Sequence, residues 1–218
     1  ALSLSKGKSR PSGRGVERFT LDILGTTIFR HMSNNRFYYN LIVAGFGGQG
    51  VMVIGNVLAY AAMTEGRYVT YLPVYGVEMR GGTANCTVVI SSSEIGSPVV
   101  GRPHASLVMN LPSLLKYEPR ILPRGLLMIN TSLIDLQEIS RNDIEVLPVP
   151  VNEIAIQNGH PKLANMIALG AFAQKTKLVK MESLFKSLEK VLDERYHHLI
   201  PSNVKAIEVG AKYIQSLT

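Results

Sequence analysis

From residue 39 onward the chain alternates short apolar runs with longer apolar or amphipathic ones. Tyr39–Ala44 is almost continuously apolar, as a strand buried on both faces of a parallel sheet must be. Val51–Thr64 is apolar nearly all round and predicts a helix covered on two sides. Gly55 within it would let the helix approach the sheet, and Glu65-Gly66 supplies a glycine stop. Arg67–Leu72 predicts a second strand closed by Pro73, and Thr83–Ser91 is rich in β-formers. Further strands are predicted at Ala105–Met109, Leu126–Asn130 and Ile144–Val149, the last ended by Pro148 and Pro150. Turns fall at Ile95-Gly96-Ser97-Pro98 and Pro123-Arg124-Gly125, and Pro112–Tyr117 reads as a short helix. Asn152–Gln157 predicts another, stopped at Asn158-Gly159, after which Pro161 would open a longer helix through Ala173. Two amphipathic helices close the chain, one with the stripe Leu184, Phe185, Leu188, Val191 and Leu192, the other with Val204, Ile207, Ala211, Ile214 and Leu217. Strands alternating with helices predict an α/β class, a Rossmann-like layered fold with a mostly parallel central sheet flanked by helices, in one domain over residues 39–218.

Residues 1–38 do not share this pattern. Ser3–Arg18 is rich in Ser, Gly, Lys and Arg with little to bury, so the segment reads as a flexible basic extension. Phe19–Phe29 could form a short amphipathic turn or strand. Met32 reads as a natural start, with the residues before it an upstream or non-native addition; a basic targeting arm is the alternative. The apolar Leu21–Phe29 run is too interrupted for a signal peptide. The chain of 218 residues is 46% hydrophobic and 18% charged, enough for a substantial core. Its formal charge of +7 comes largely from residues 1–31, which hold six Lys/Arg and two acids. The basic balance therefore reflects the leading segment more than the folded body, which weakens a nucleic-acid reading, since that wants a basic face on a folded module. No apolar run is long enough for a membrane span. The single cysteine, Cys86, excludes a disulfide framework and a self-contained iron–sulfur cluster, and fits a reducing, cytoplasmic setting. Cys86 lies within a predicted strand with no base near in sequence, so it reads as a buried inert thiol. His160, before Pro161, reads as an exposed loop residue. His197 and His198 are adjacent and face different ways, which argues against a metal there.

The chemistry gathers at Gly45-Phe46-Gly47-Gly48-Gln49-Gly50, between the first strand and the first helix. A glycine turn lets the backbone come close to a ligand, and the helix start behind it offers unpaired N–H groups and partial positive charge. Together these make a seat for an anion, most often a phosphate. Gly45, Gly47 and Gly50 also satisfy the dinucleotide fingerprint, but no acid stands at the end of the second strand to hold a ribose. A tight turn whose glycines only permit close packing is the plainer alternative. A second loop, Tyr75-Gly76-Val77-Glu78-Met79-Arg80-Gly81-Gly82, leaves the second strand. If that strand runs parallel to the first, the loop lies at the same sheet edge as the glycine turn. Glu78 and Arg80 could brace the loop as a local pair, or Arg80 could contact an anion or a partner.

Three signatures in order, Gly-Phe-Gly-Gly-Gln-Gly at 45–50, Tyr-Gly-Val-Glu-Met-Arg-Gly-Gly at 75–82 and Asn165-Met166-Ile167-Ala168-Leu169-Gly170, resemble the gamma subunit or domain of the 2-oxoacid:ferredoxin oxidoreductases. The resemblance spans about residues 39–217, and the sequence around 70–82 is similar to the 2-oxoglutarate and branched-chain oxoacid branches. It implies a non-catalytic component of a complex that oxidatively decarboxylates a 2-oxoacid to an acyl-CoA and passes electrons to ferredoxin. Thiamine diphosphate, Mg and [4Fe–4S] clusters would sit on partner subunits: alpha, beta and, as an option, delta. A homodimer contact within the complex would be expected. This chain would support assembly and the coenzyme A side, with coenzyme A as its candidate ligand. The site residues implied are Gly45, Gly47, Gly48, Gln49 and Gly50 as the anion-facing turn, Glu78, Arg80, Gly81 and Gly82 as the neighbouring loop, and Asn165, either facing the same cleft or only hydrogen-bonding a loop. None has a catalytic role. A stand-alone Rossmann-like nucleotide- or CoA-binding protein and a purely structural scaffold are the alternatives.

Overall fold

Leu41-Ile42-Val43-Ala44 sends alternate side chains into two separate cores, so the strand that carries them lies inside the molecule with both faces covered. The computed structural model describes residues 22–23, 26–27, 37–75 and 83–217. It divides the chain into two units, residues 1–36 and 37–218. In the first unit Asp22–Ile23 (β1) and Thr26–Thr27 (β2) pair antiparallel, which is the strand option foreseen within residues 19–29.

The second unit runs β3 (Tyr38–Phe46), α1 (Val51–Thr64), β4 (Tyr68–Tyr75), β5 (Thr83–Ser91), β6 (Ala105–Val108), α2 (Leu111–Tyr117), β7 (Leu126–Asn130), β8 (Glu145–Val149), α3 (Val151–Gln157), α4 (Ala164–Thr176), α5 (Met181–Val191) and α6 (Ile200–Gln215). The six-stranded sheet has the order β4-β5-β3-β6-β7-β8. Strands β3, β6, β7 and β8 are parallel, and β5 lies antiparallel between β3 and β4. The fold is therefore α/β with a mostly parallel sheet, as the alternating pattern implied. Because β5 reverses, β4 runs in the same direction as β3 without touching it.

One expected strand end lies elsewhere, while β8 ends at Val149 as expected. Strand β4 continues through Pro73, which pairs with Cys86, and β8 contains Pro148, which pairs with Ile129. Both prolines sit in the two edge strands, where a missing N–H interrupts no ladder on the solvent side. Helix α4 begins at Ala164 rather than at Pro161, because residues 160–163 first form a turn in which Leu163 N–H donates to His160 O at 2.9 Å. His160, expected to be exposed, is half-buried in that turn. Leu217 falls beyond α6 and is exposed, so the last stripe ends at Ile214.

Helices α1, α3, α4, α5 and α6 cover one face of the sheet, while α2 covers part of the other through Leu114 and Tyr117. Helix α1 lies against the β3, β4 and β5 side, and there Gly55 is required: a Cβ would stand 2.3 Å from Cys86 Sγ. Cys86 is fully buried, its thiol donates to Val51 O at 3.4 Å, and burial pushes its pKa up to about 12. Helices α4 and α6 cross at reciprocal glycines. A Cβ on Gly170 would fall 1.9 Å from Ile207 O, and one on Gly210 would fall 2.0 Å from Ile167 O. Among the described residues no helix is long and apolar enough to cross a membrane.

Backbone meets backbone at the α4–α6 crossing, so neither helix can yield locally to an added methyl. Gly170→Ala and Gly210→Ala should each cost about 1–3 kcal/mol or more, read as a lower denaturant midpoint, where exposed glycine-to-alanine changes in helices stabilise. The Cys86 thiol should resist an aromatic disulfide reagent at pH 8 in the native protein and react fully in denaturant; rapid native labelling would contradict the burial described above.

Candidate functional site

Strand β3 delivers the chain to the carboxyl edge of the sheet, where ligands bind in open α/β folds. Phe46 ends the strand, and Gln49 N–H closes the turn onto Phe46 O at 3.1 Å. Gly48 and Gly50 have φ of 98° and 72°, in the left-handed region. Gly47 and Gly48 are exposed, and a Cβ at Gly48 would meet no atom within 4 Å, so the demand there is conformational and leaves open space outside. At Gly50 the demand is also steric, since a Cβ would stand 2.4 Å from Asn165 Nδ2. A Cβ at Gly45 would lie 2.6 Å from Gln49 Oε1.

Gly50 precedes the first residue of α1, and Asn165 lies in the first turn of α4. Their contact brings the amino ends of the two helices together. Neither helix has a side-chain cap or an acid in its first turn. Two sets of helix-start N–H groups, each with partial positive charge, therefore share one corner beside the exposed Gly47-Gly48 backbone. Half-buried Asn165 stands between them. The turn and α4 signatures, far apart in sequence, are thus in contact.

Gln49 is placed differently from its neighbours. Its carboxamide points into the protein: Oε1 accepts from Phe46 N–H at 2.7 Å and from Asn110 Nδ2 at 3.2 Å, and Nε2 donates to Met109 O at 3.2 Å. Its side chain fixes the turn, and its backbone closes it. The contacts continue along the carboxyl ends of the strands. Asn110 Oδ1 accepts from Ser113 N–H at 2.9 Å and caps α2. Asn130 Nδ2 donates to Asn152 Oδ1 at 2.9 Å and lies 3.4 Å from Met109 O. Ser132 Oγ accepts from Asn152 and Glu153 N–H at the start of α3. Gln49, Asn110, Asn130 and Asn152 form a carboxamide row spanning β3 to β8 behind the turn. In the sequence, Asn110 follows one apolar strand and Asn130 ends another, and that recurrence is the available signal.

Glu78, Arg80, Gly81 and Gly82 lie outside the described residues. Their flanks do not: Tyr75 pairs with Ala84, and Thr83 pairs with Phe46, the residue before Gly47. The connection carrying them leaves and rejoins the sheet at the edge of the glycine turn. Among the described residues no group of three His, Cys, Asp or Glu side chains could hold a metal ion, and His197 Nε2 lies 3.0 Å from Leu192 O. This corner can hold an anion on main-chain donors. With Cys86 buried and its thiol raised, it presents no activated nucleophile among the described residues.

Comparison with known proteins identifies the family. The chain is 34% identical over 171 residues to the ketoisovalerate oxidoreductase subunit VorA of Methanothermobacter thermautotrophicus, covering 78% of this chain and 35% of that protein. It therefore spans about a third of the length of that relative. It is 33% identical over 172 residues to the 2-oxoglutarate synthase subunit KorC of Archaeoglobus fulgidus, covering 78% of this chain and 85% of the relative. The crystal structure of the keto/oxoacid ferredoxin oxidoreductase gamma subunit of Geobacter sulfurreducens superposes with a TM-score of 0.67 at 26% identity, over 82% of this chain and 99% of that one. The family described as pyruvate ferredoxin/flavodoxin oxidoreductase matches residues 40–213, and the chain belongs to it.

Proposed function

We propose that this chain is the gamma component of a multi-subunit 2-oxoacid:ferredoxin oxidoreductase of the 2-oxoglutarate or branched-chain branch, working in the cytoplasm. The names of the KorC and VorA relatives support the branch. In this reading the complex decarboxylates a 2-oxoacid and yields an acyl-CoA, with electrons leaving to ferredoxin. Alpha and beta subunits, with delta as an option, hold thiamine diphosphate, Mg and the clusters. A second gamma copy forms the homodimer contact. One buried cysteine does not suit a [4Fe–4S] cluster, which needs about four thiolates. This chain's part is assembly and the coenzyme A side.

The observation that carries the second role is the meeting of two uncapped helix starts at Gly50 and Asn165. The phosphate groups of coenzyme A suit main-chain N–H donors with a shared positive end. Exposed Gly47 and Gly48 let that backbone approach the ligand, the Gln49 side chain holds the turn in shape, and Glu78, Arg80, Gly81 and Gly82 complete the seat from the adjoining connection. Arg80 adds a bidentate phosphate contact. The inward carboxamide of Gln49 also favours a second reading, in which the turn is packed for assembly and binds nothing.

Two measurements separate these readings. A Cβ at residue 48 would meet no neighbour, but Gly48→Val opposes a left-handed φ, so it should distort the turn at a cost of about 1–2 kcal/mol. The complex should still assemble, with the apparent KM for coenzyme A raised at least tenfold and that for the oxoacid unchanged; reduced assembly with an unchanged KM in the complex that does form would favour packing alone. The purified chain should reduce no acceptor with any 2-oxoacid, and activity should appear only with the thiamine- and cluster-bearing subunits. Turnover by the lone chain would refute the gamma assignment.

A further inference from the structure

At the amino edge of the sheet, opposite the glycine turn, lies a cavity of about 300 Å³ that the proposed function does not use. Five separate segments supply its polar lining: Tyr39 at the start of β3, His104 before β6, Arg124 in the turn before β7, Glu145 at the start of β8, and Lys175 and Thr176 at the end of α4. A volume of this order holds a small organic molecule.

The lining has a definite hydrogen-bonding pattern. The His104 ring stacks on Tyr39 with centroids 5.3 Å apart, and its Nδ1 lies 3.1 Å from Asn40 Oδ1. Since Oδ1 is an acceptor, Nδ1 carries the proton and Nε2 presents a lone pair. Burial lowers the His104 pKa, which keeps the ring neutral at pH 7. Burial and nearby Glu145 push Tyr39 up to about 12, so its hydroxyl stays protonated. Lys175 pairs with Glu145.

Arg124 stands apart. It is a non-glycine residue at φ 62°, a conformation disfavoured for L residues, yet its side chain is exposed and forms no ion pair among the described residues. Its backbone N–H donates to Asp143 O at 2.7 Å. The side chain of Asp143 is taken by Arg141 in a bidentate pair. The strain at position 124 therefore holds an unmatched guanidinium at the cavity rim, and strained residues of this kind gather at ligand sites.

We propose that this cavity is a second ligand site for a small carboxylic acid bearing a hydrogen-bond donor beside the carboxylate, an amino or hydroxy acid. The carboxylate pairs with the planar fork of Arg124, for which that fork is suited. The neighbouring ammonium or hydroxyl donates to Nε2 of His104 or to Glu145, which offer acceptors. The same acceptors disfavour a multiply charged phosphate.

The test uses the full chain with L-alanine, L-lactate, acetate and inorganic phosphate as probes. Binding is followed by calorimetry and by the His104 ring resonances. Saturable binding of alanine or lactate should shift those resonances, with alanine against lactate telling the ammonium from the hydroxyl. Acetate and phosphate should bind at least tenfold more weakly. Arg124→Gly should weaken binding at least tenfold while raising the melting temperature, because glycine accepts the left-handed backbone; loss of affinity could not then be laid to unfolding. Arg124→Gln, which keeps the strain, should lose affinity equally. The site is overturned if neither acid saturates, if acetate or phosphate binds as well, if the His104 resonances stay fixed during saturation, or if either Arg124 variant binds like the wild type.

Discussion

The absence of a side chain at residue 50 determines where two helices can begin. Asn165 occupies the space a Cβ would need, so α1 and α4 bring their amino ends to one point. Peptide dipoles aligned along both helices then act on the same small volume. The turn before α1 cannot drift from this point, since Gln49 ties it to Met109 and Asn110 at the end of β6. Buried Asn110 and Asn130 extend the tie across the sheet. A corner made of main chain, backed by a row of satisfied carboxamides, gains its shape from the core rather than from surface side chains. Such pre-organisation lowers the ordering cost of binding.

The two ends of the sheet are built by different means. At the carboxyl edge the donors are backbone groups at helix starts and the nearby side chains are inward carboxamides. At the amino edge the groups are ionisable side chains, Tyr39, His104, Glu145 and Lys175, with Arg124 at the rim. The same parallel strands position both sets, because each contributes its first residues to one edge and its last to the other.

Much of this was legible in the residues. Apolar period and glycine stops located β3, α1, β5 and β7 closely, and the glycine turn stood out by its density of glycine. Strand direction was not legible: Thr83–Ser91 has the composition of a parallel strand but runs the other way, and hydrophobic pattern carries no sign of direction. Pro73 reads as a strand end because its effect depends on whether a neighbour lies on that side, which only the sheet order decides. Pro161 misled for a related reason, since a proline can open a turn before a helix as well as the helix itself. The carboxamide row escaped because Asn110, Asn130 and Asn152 are each ordinary polar residues alone and become a network only when β3, β6, β7 and β8 stand side by side.

The reversed β5 has a consequence for how such proteins diversify. Tyr75 is pinned by pairing to Ala84 and Thr83 by pairing to Phe46, so both hold at the carboxyl edge of the sheet, Thr83 beside β3 and Tyr75 one strand further out. A substitution at Tyr75, which is exposed, therefore need not disturb the buried layers beneath it. A lineage can retune what this edge greets, molecule by molecule, and inherit the scaffold beneath it intact.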